Sequence, residues 1–127
     1  MTTHLQKQLD QRMALERKVV RHLIRTAKKH DYAVTKVWDG GEGVKCRTET
    51  EAMNAVFSVD ESTIYFKHPD QLRNHCAVIV LGNDGFDSIA DNSQGLLWDD
   101  VIKECDAYSD KLCDLTAQFL VVKFHDV

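Results

Sequence analysis

The sequence predicts a single α+β domain spanning residues 1–127, in the element order α-β-β-α-β-β-β-α. A mainly antiparallel sheet of about five strands is expected, with the two long helices packed on one of its faces. Three observations lead there. The run Cys76-Ala-Val-Ile-Val-Leu-Gly82 is short, apolar and rich in β-branched residues, as a strand buried on both faces would be. Long helical stripes of apolar residues occupy both ends of the chain. Between them, alternating segments are separated by turn-forming residues.

The first helix is expected over 4–30. Leu5, Leu9 and Met13 recur every four residues, and Val19, Val20, Leu23, Ile24 and Ala27 form a stronger stripe behind them. Thr2 or Thr3 can cap its start, and Lys28 and Lys29 sit in the last turn, where the helix dipole favours cations. Ala33 to Trp38 alternates, Asp39-Gly40-Gly41-Glu42 turns, and Val44 to Arg47 returns as the second arm of a hairpin. Thr48-Glu49-Thr50-Glu51 has the spacing of a capping box. A helix over 49–58 should follow, turning Ala52, Met53, Val56 and Phe57 inward. Strand Ser62 to His68 ends at Pro69. The apolar run 75–82 then forms the central strand, flanked by 63–68 on one side and by 86–91 on the other, after the Asn83-Asp84-Gly85 turn. Leu96 to Leu115 reads as the last helix, with Leu97, Val101, Ile102, Cys105, Tyr108 and Leu112 on one face. The tail from Thr116 has strand composition in Phe119-Leu-Val-Val-Lys-Phe124. It is expected to pack as an added element on the sheet edge or on a neighbouring subunit.

An apolar fraction of 43% with 28% charged residues is that of an ordinary globular protein, and one proline leaves no room for a proline-rich linker. No run is apolar and long enough to span a membrane, so no membrane partner is expected. The start, MTTHLQKQLDQRM, lacks the apolar core of a signal peptide, and a cytoplasmic location is expected. Cys46, Cys76, Cys105 and Cys113 make no C-x-x-C pair and fit reduced, buried thiols.

The net charge of −4 is unevenly spread. Residues 1–31 hold eight Lys and Arg against three acids, whereas 82–114 hold nine acids against Lys103 and Lys111. Two opposed charged surfaces are therefore expected. Asp84, Asp87, Asp91, Asp99 and Asp100 belong to the acidic one, which suits a basic protein partner. An exposed Trp38 or Trp98 beside such a patch would serve as an interface hot spot, and Trp98 joins the acidic set as a candidate. The alternative is nucleic-acid binding by Arg17, Lys18, Arg21, Arg25, Lys28 and Lys29 of the first helix, which fall largely off its apolar stripe. The two surfaces meeting each other would instead build a homo-oligomer.

Reactive chemistry finds no template. His68, His75, Cys46 and Cys76 lack the paired spacings of a zinc site, and the histidines read as exposed strand ends. Asp84, Asp87 and Asp91 do not follow the calcium-loop pattern, and Gly82 to Gly85 lacks a phosphate-binding motif. His75 and Cys76 adjoin on a strand, so their side chains point to opposite faces. No catalytic residue, metal or cofactor is expected.

Trp38-Asp39-Gly40-Gly41, Phe57-Ser58-Val59-Asp60-Glu61 and Leu81-Gly82-Asn83-Asp84-Gly85 carry a resemblance to small proteins of bacteriophages and other mobile elements of Gram-negative bacteria. It covers approximately residues 18–113 and leaves out the tail from Thr116. The resemblance implies an accessory role in a bacterial or phage cytosolic setting, and it transfers no catalytic residue. The functional expectation is thus a small non-enzymatic protein that binds a host or phage protein through charged surfaces.

Overall fold

A computed structural model describes the backbone of residues 4–81 and 88–125, and the side chains of 11–81, 88–95 and 97–112. The elements are α1 (His4–Lys29), β1 (Ala33–Trp38), β2 (Gly43–Lys45), α2 (Glu49–Val56), β3 (Glu61–Lys67), β4 (His75–Val80), β5 (Ile89–Asn92) and α3 (Leu96–His125). The strands form one antiparallel sheet in the order β2-β1-β3-β4-β5. The α+β class and its element order are those expected from the sequence.

Helix α1 buries Val19, Val20, Leu23, Ile24 and Ala27. It stops in a Schellman motif: Tyr32 N–H donates to the Ala27 carbonyl at 2.9 Å, and Asp31 N–H to that of Lys28 at 3.0 Å. Asp31 takes the left-handed position, at φ 68°. The reversal drops Tyr32 into the core and starts β1. Gly40, at φ 100°, closes the hairpin that follows, while Asp39 Oδ1 accepts from the backbone N–H groups of Gly41 and Glu42.

Strict alternation in β1 is broken. Val34 pairs with Phe66 and Lys36 with Tyr65, so Thr35 is the extra residue of a bulge. Val34 and Val37 consequently reach the same side, that of Phe66 and Ile64. Half of the capping box at α2 forms: Glu51 N–H donates to Thr48 Oγ1 at 3.2 Å, while Glu51 Oε1 accepts from the Thr48 hydroxyl at 3.2 Å instead of from the Thr48 backbone N–H. Ala52, Met53 and Val56 are buried, with Phe57 packed against the core.

Strand β4 is flanked by β3 on one side and β5 on the other, as expected, and β3 is the middle strand of the five. Strand β3 turns Ser62, Ile64 and Phe66 inward, and β4 matches it with His75, Ala77 and Ile79. All three helices contribute to one core on that side. The expected burial of β4 on both faces does not occur: Cys76, Val78 and Val80 remain partly exposed on the uncovered side. A one-sided helical layer leaves an antiparallel sheet in this state. Of the segment expected to return at 86–91, residues 86 and 87 lie outside the described residues, and β5 begins at Ile89.

Helix α3 buries Trp98, Val101, Ile102 and Cys105, a stripe one residue out of phase with Leu97, which is exposed. Beyond Thr116 the backbone continues as helix to His125. The expected separate tail element is absent because Leu96 to His125 contains no glycine or proline to end the helix.

Candidate protein-binding surface

The uncovered face is laid out by the strand register. Trp38, Thr63, Val78 and Asp91 form one row, and Lys45, Lys36, Tyr65 and Cys76 form the next. Glu61 and Val80 lie beyond the first row, and Lys67 and Ala33 beyond the second. Trp38 is 43% exposed and stands beside partly exposed Thr63 and Val78. Lys36 Nζ lies 4.7 Å from the centre of the Tyr65 ring, a cation–π contact that holds the aliphatic stem of the lysine across the face. An aromatic and aliphatic centre is thereby ringed by Lys36, Lys45, Lys67, Glu61 and Asp91.

The structure divides the expected acidic set. Asp91 belongs to this face, in the row of Trp38. Asp99 and Asp100 are exposed at the start of α3, in the helical layer. Asp84 and Asp87 lie outside the described residues. Trp98 is not an interface residue: it is 0% exposed, packed among Tyr32, Phe66 and His75 at ring-centre distances of 5.0, 4.9 and 5.5 Å. It points inward because it lies on the buried stripe of α3. Trp38 is the exposed tryptophan, because its position in β1 faces away from every helix.

The basic row of α1 is also divided. Arg25 forms a two-pronged contact with Glu49 of α2, Nε to Oε1 at 2.8 Å and Nη2 to Oε2 at 3.4 Å, and Arg21 Nε lies 3.8 Å from the same carboxylate. The Arg17 guanidinium covers the Phe57 ring at 4.5 Å. Lys18, Lys28 and Lys29 are exposed. Helices α1 and α3 run antiparallel in contact, with His22 stacked on Tyr108 at 4.1 Å. The exposed lysines of α1 and Asp99 and Asp100 of α3 therefore share the helical layer, whereas Asp91 lies on the other side of the sheet.

The histidines are buried, contrary to the exposed strand ends expected. His75 Nε2–H donates to Gln71 Oε1 at 2.9 Å, and the Tyr32 hydroxyl donates to the same oxygen at 3.2 Å. His75 Nδ1 then accepts from the Ser93 hydroxyl at 3.1 Å, while Ser93 Oγ accepts from Cys76 N–H at 2.9 Å. With the ring neutral, every donor in this chain, the Ser93 hydroxyl included, has an acceptor. Burial lowers the pKa of His75, with Asp99 opposing the shift. His68 packs edge-on to Tyr32 at 5.0 Å, and its Nδ1 accepts from Asp70 N–H at 3.1 Å. The His75, Gln71, Tyr32 and Ser93 side chains form one structural hydrogen-bonded network, while Nε1 of the adjoining Trp98 is buried without a hydrogen-bond partner among the described residues.

Among the described residues, no three metal-ligating side chains converge. His75 and Cys76 do face opposite sides of β4. The Cys46 and Cys105 thiols are buried; burial raises both pKa values, that of Cys105 to about 12. An open groove of about 400 Å³ lies between the hairpin and α2, with Val37, Val44, Ala55 and Val59 in its wall beside Asp39 and Glu51. No helix among the described residues is long and apolar enough to cross a membrane. Comparison with protein-family models, with curated proteins and with solved structures finds no match to this chain.

Proposed function

We propose that this chain is a non-enzymatic binding protein that engages a protein partner through the uncovered face of its sheet, with Trp38 as the anchor. One observation carries the reading. Strand β4 is apolar on both sides, as a doubly covered strand is, yet only its inward side is covered. Val78, Val80 and Tyr65 next to an exposed tryptophan and a charged rim have the make-up of an interface core and its surround. The resemblance to phage and mobile-element proteins suggests an accessory role in a bacterial cytoplasm.

The alternative, nucleic-acid binding by α1, is weakened by Glu49, which takes up much of the charge of Arg21 and Arg25. Affinity capture with the tagged chain, with and without nuclease, separates the two. Protein retained after nuclease and lost with Trp38→Ala supports the proposal; such an anchor is worth about 2 kcal/mol or more, roughly thirtyfold in affinity. Charge reversal at Asp99 and Asp100 should leave that capture intact. Retention that disappears with nuclease and with Lys18, Lys28 and Lys29 changed to Glu would transfer the function to α1.

A further inference from the structure

We infer that the protein seated on the uncovered face is a second copy of this chain, packed sheet to sheet about a two-fold axis that crosses β3 at right angles near Ile64. This rests on the proposed binding role and names its partner.

The reason lies in the central strand. On the open side β3 presents Glu61, Thr63, Tyr65 and Lys67, with opposite charges at its two ends. Both end residues are exposed, and neither has an ion-pair partner among the described residues. Six residues of extended chain put them about 20 Å apart, too far to meet within one molecule. Reversing the strand about its midpoint lays Glu61 of one copy over Lys67 of the other, and does so twice. The pattern is self-complementary, as an isologous contact requires.

The neighbouring strands obey the same operation. Trp38 sits opposite Thr63, and Lys36 opposite Tyr65, so the axis brings Trp38 of one copy over Lys36 of the other. That makes a second pair of cation–π contacts possible beside the Lys36–Tyr65 contact already present. On β4, Val78 comes over Cys76 by the same register. Sheets packed this way lie about 10 Å apart with their strands nearly aligned, and the large Trp38 and Tyr65 side chains fill that gap. The uncovered face measures roughly 20 Å by 20 Å. Two such faces bury on the order of 800 Å² in all, below the standard size of specific interfaces, so the dimer is a weak one that forms only at high protein concentration.

Sedimentation equilibrium of the purified full chain, from about 1 to 300 μM, is the test. The wild-type chain should associate to a dimer and no further. Glu61→Lys or Lys67→Glu alone should weaken association at least about tenfold, because each places two like-charged pairs in the contact. Both changes in the same chain should restore it to within about threefold of wild type, because every pair is then again of opposite sign. Circular dichroism verifies that these exposed changes leave the fold unaltered. A double variant no better than the single ones overturns the inference. A chain that stays monomeric throughout also overturns it. If that monomer still captures a different protein in a Trp38-dependent way, only the identity of the partner falls. If it captures none, the binding role falls with it.

Discussion

At the scale of single residues, the tightest point is where Gly95 meets His75. A Cβ on residue 95 would lie 2.5 Å from His75 Cε1, and the ring cannot yield because Gln71 and Ser93 hold both its nitrogens. Gly95→Ala should therefore cost about 1–3 kcal/mol in denaturant unfolding. A variant as stable as wild type would show the ring to be loosely held. The same ring governs behaviour in mild acid. Its pKa is lowered in the fold by burial, as is that of His22, so the unfolded chain takes up protons first. Stability should be full above the ordinary histidine value, about 6.5, and fall as pH drops from there through the lowered values. Denaturant midpoints at pH 7.5 and 5.5 check this; an unchanged or higher midpoint at 5.5 contradicts it. Asp39, whose pKa is lowered by backbone N–H donors, withdraws its contribution only in the more acidic carboxylate range, so the window belongs to the histidines. The approach of Gly95 to His75 joins positions distant in sequence, and nothing local in either segment announces it.

At the scale of elements, local rules were legible and pairing rules were not. The Thr48 cap acts between residues three apart, and its bond from Glu51 N–H forms as the spacing predicts. Thr48→Ala should cost about 1 kcal/mol by removing a donor's partner at the start of α2, measured as a shift in the denaturation midpoint. A loss below a few tenths would mean that packing of Met53 and Val56 alone sets the helix start. The bulge at Thr35 had no such signature. An extra residue exists only relative to the partner strand, so the alternation of Ala33 to Trp38 concealed it. Trp98 illustrates a phase error: on an amphipathic helix, a shift of one residue exchanges Leu97 and Trp98 between solvent and core. The end of α3 was misjudged because β-branched residues in Phe119 to Phe124 favour strands only where a sheet receives them.

At the scale of the whole molecule, the apolar character of β4 was legible, but not the identity of what covers it. Composition records that Cys76, Val78 and Val80 suit a dry setting; it does not record whether a helix of the same chain provides one. The helices cover one side, and the other side is left to a partner under the proposed reading. Cys76 offers a direct probe. Among the described cysteines it is partly exposed, whereas Cys46 and Cys105 are buried with raised pKa values. In a Cys113→Ser background, a thiol reagent at pH 8 should modify Cys76 first, and its rate should fall as protein concentration rises. A rate independent of concentration would count against pairing through this face. The sheet also tapers, from seven residues in β3 to three in β2 and four in β5. Its rims expose so few free backbone groups that a foreign strand has almost nothing to zip onto. Edge-to-edge joining of folded copies, the route by which open strands recruit one another, is thereby disfavoured.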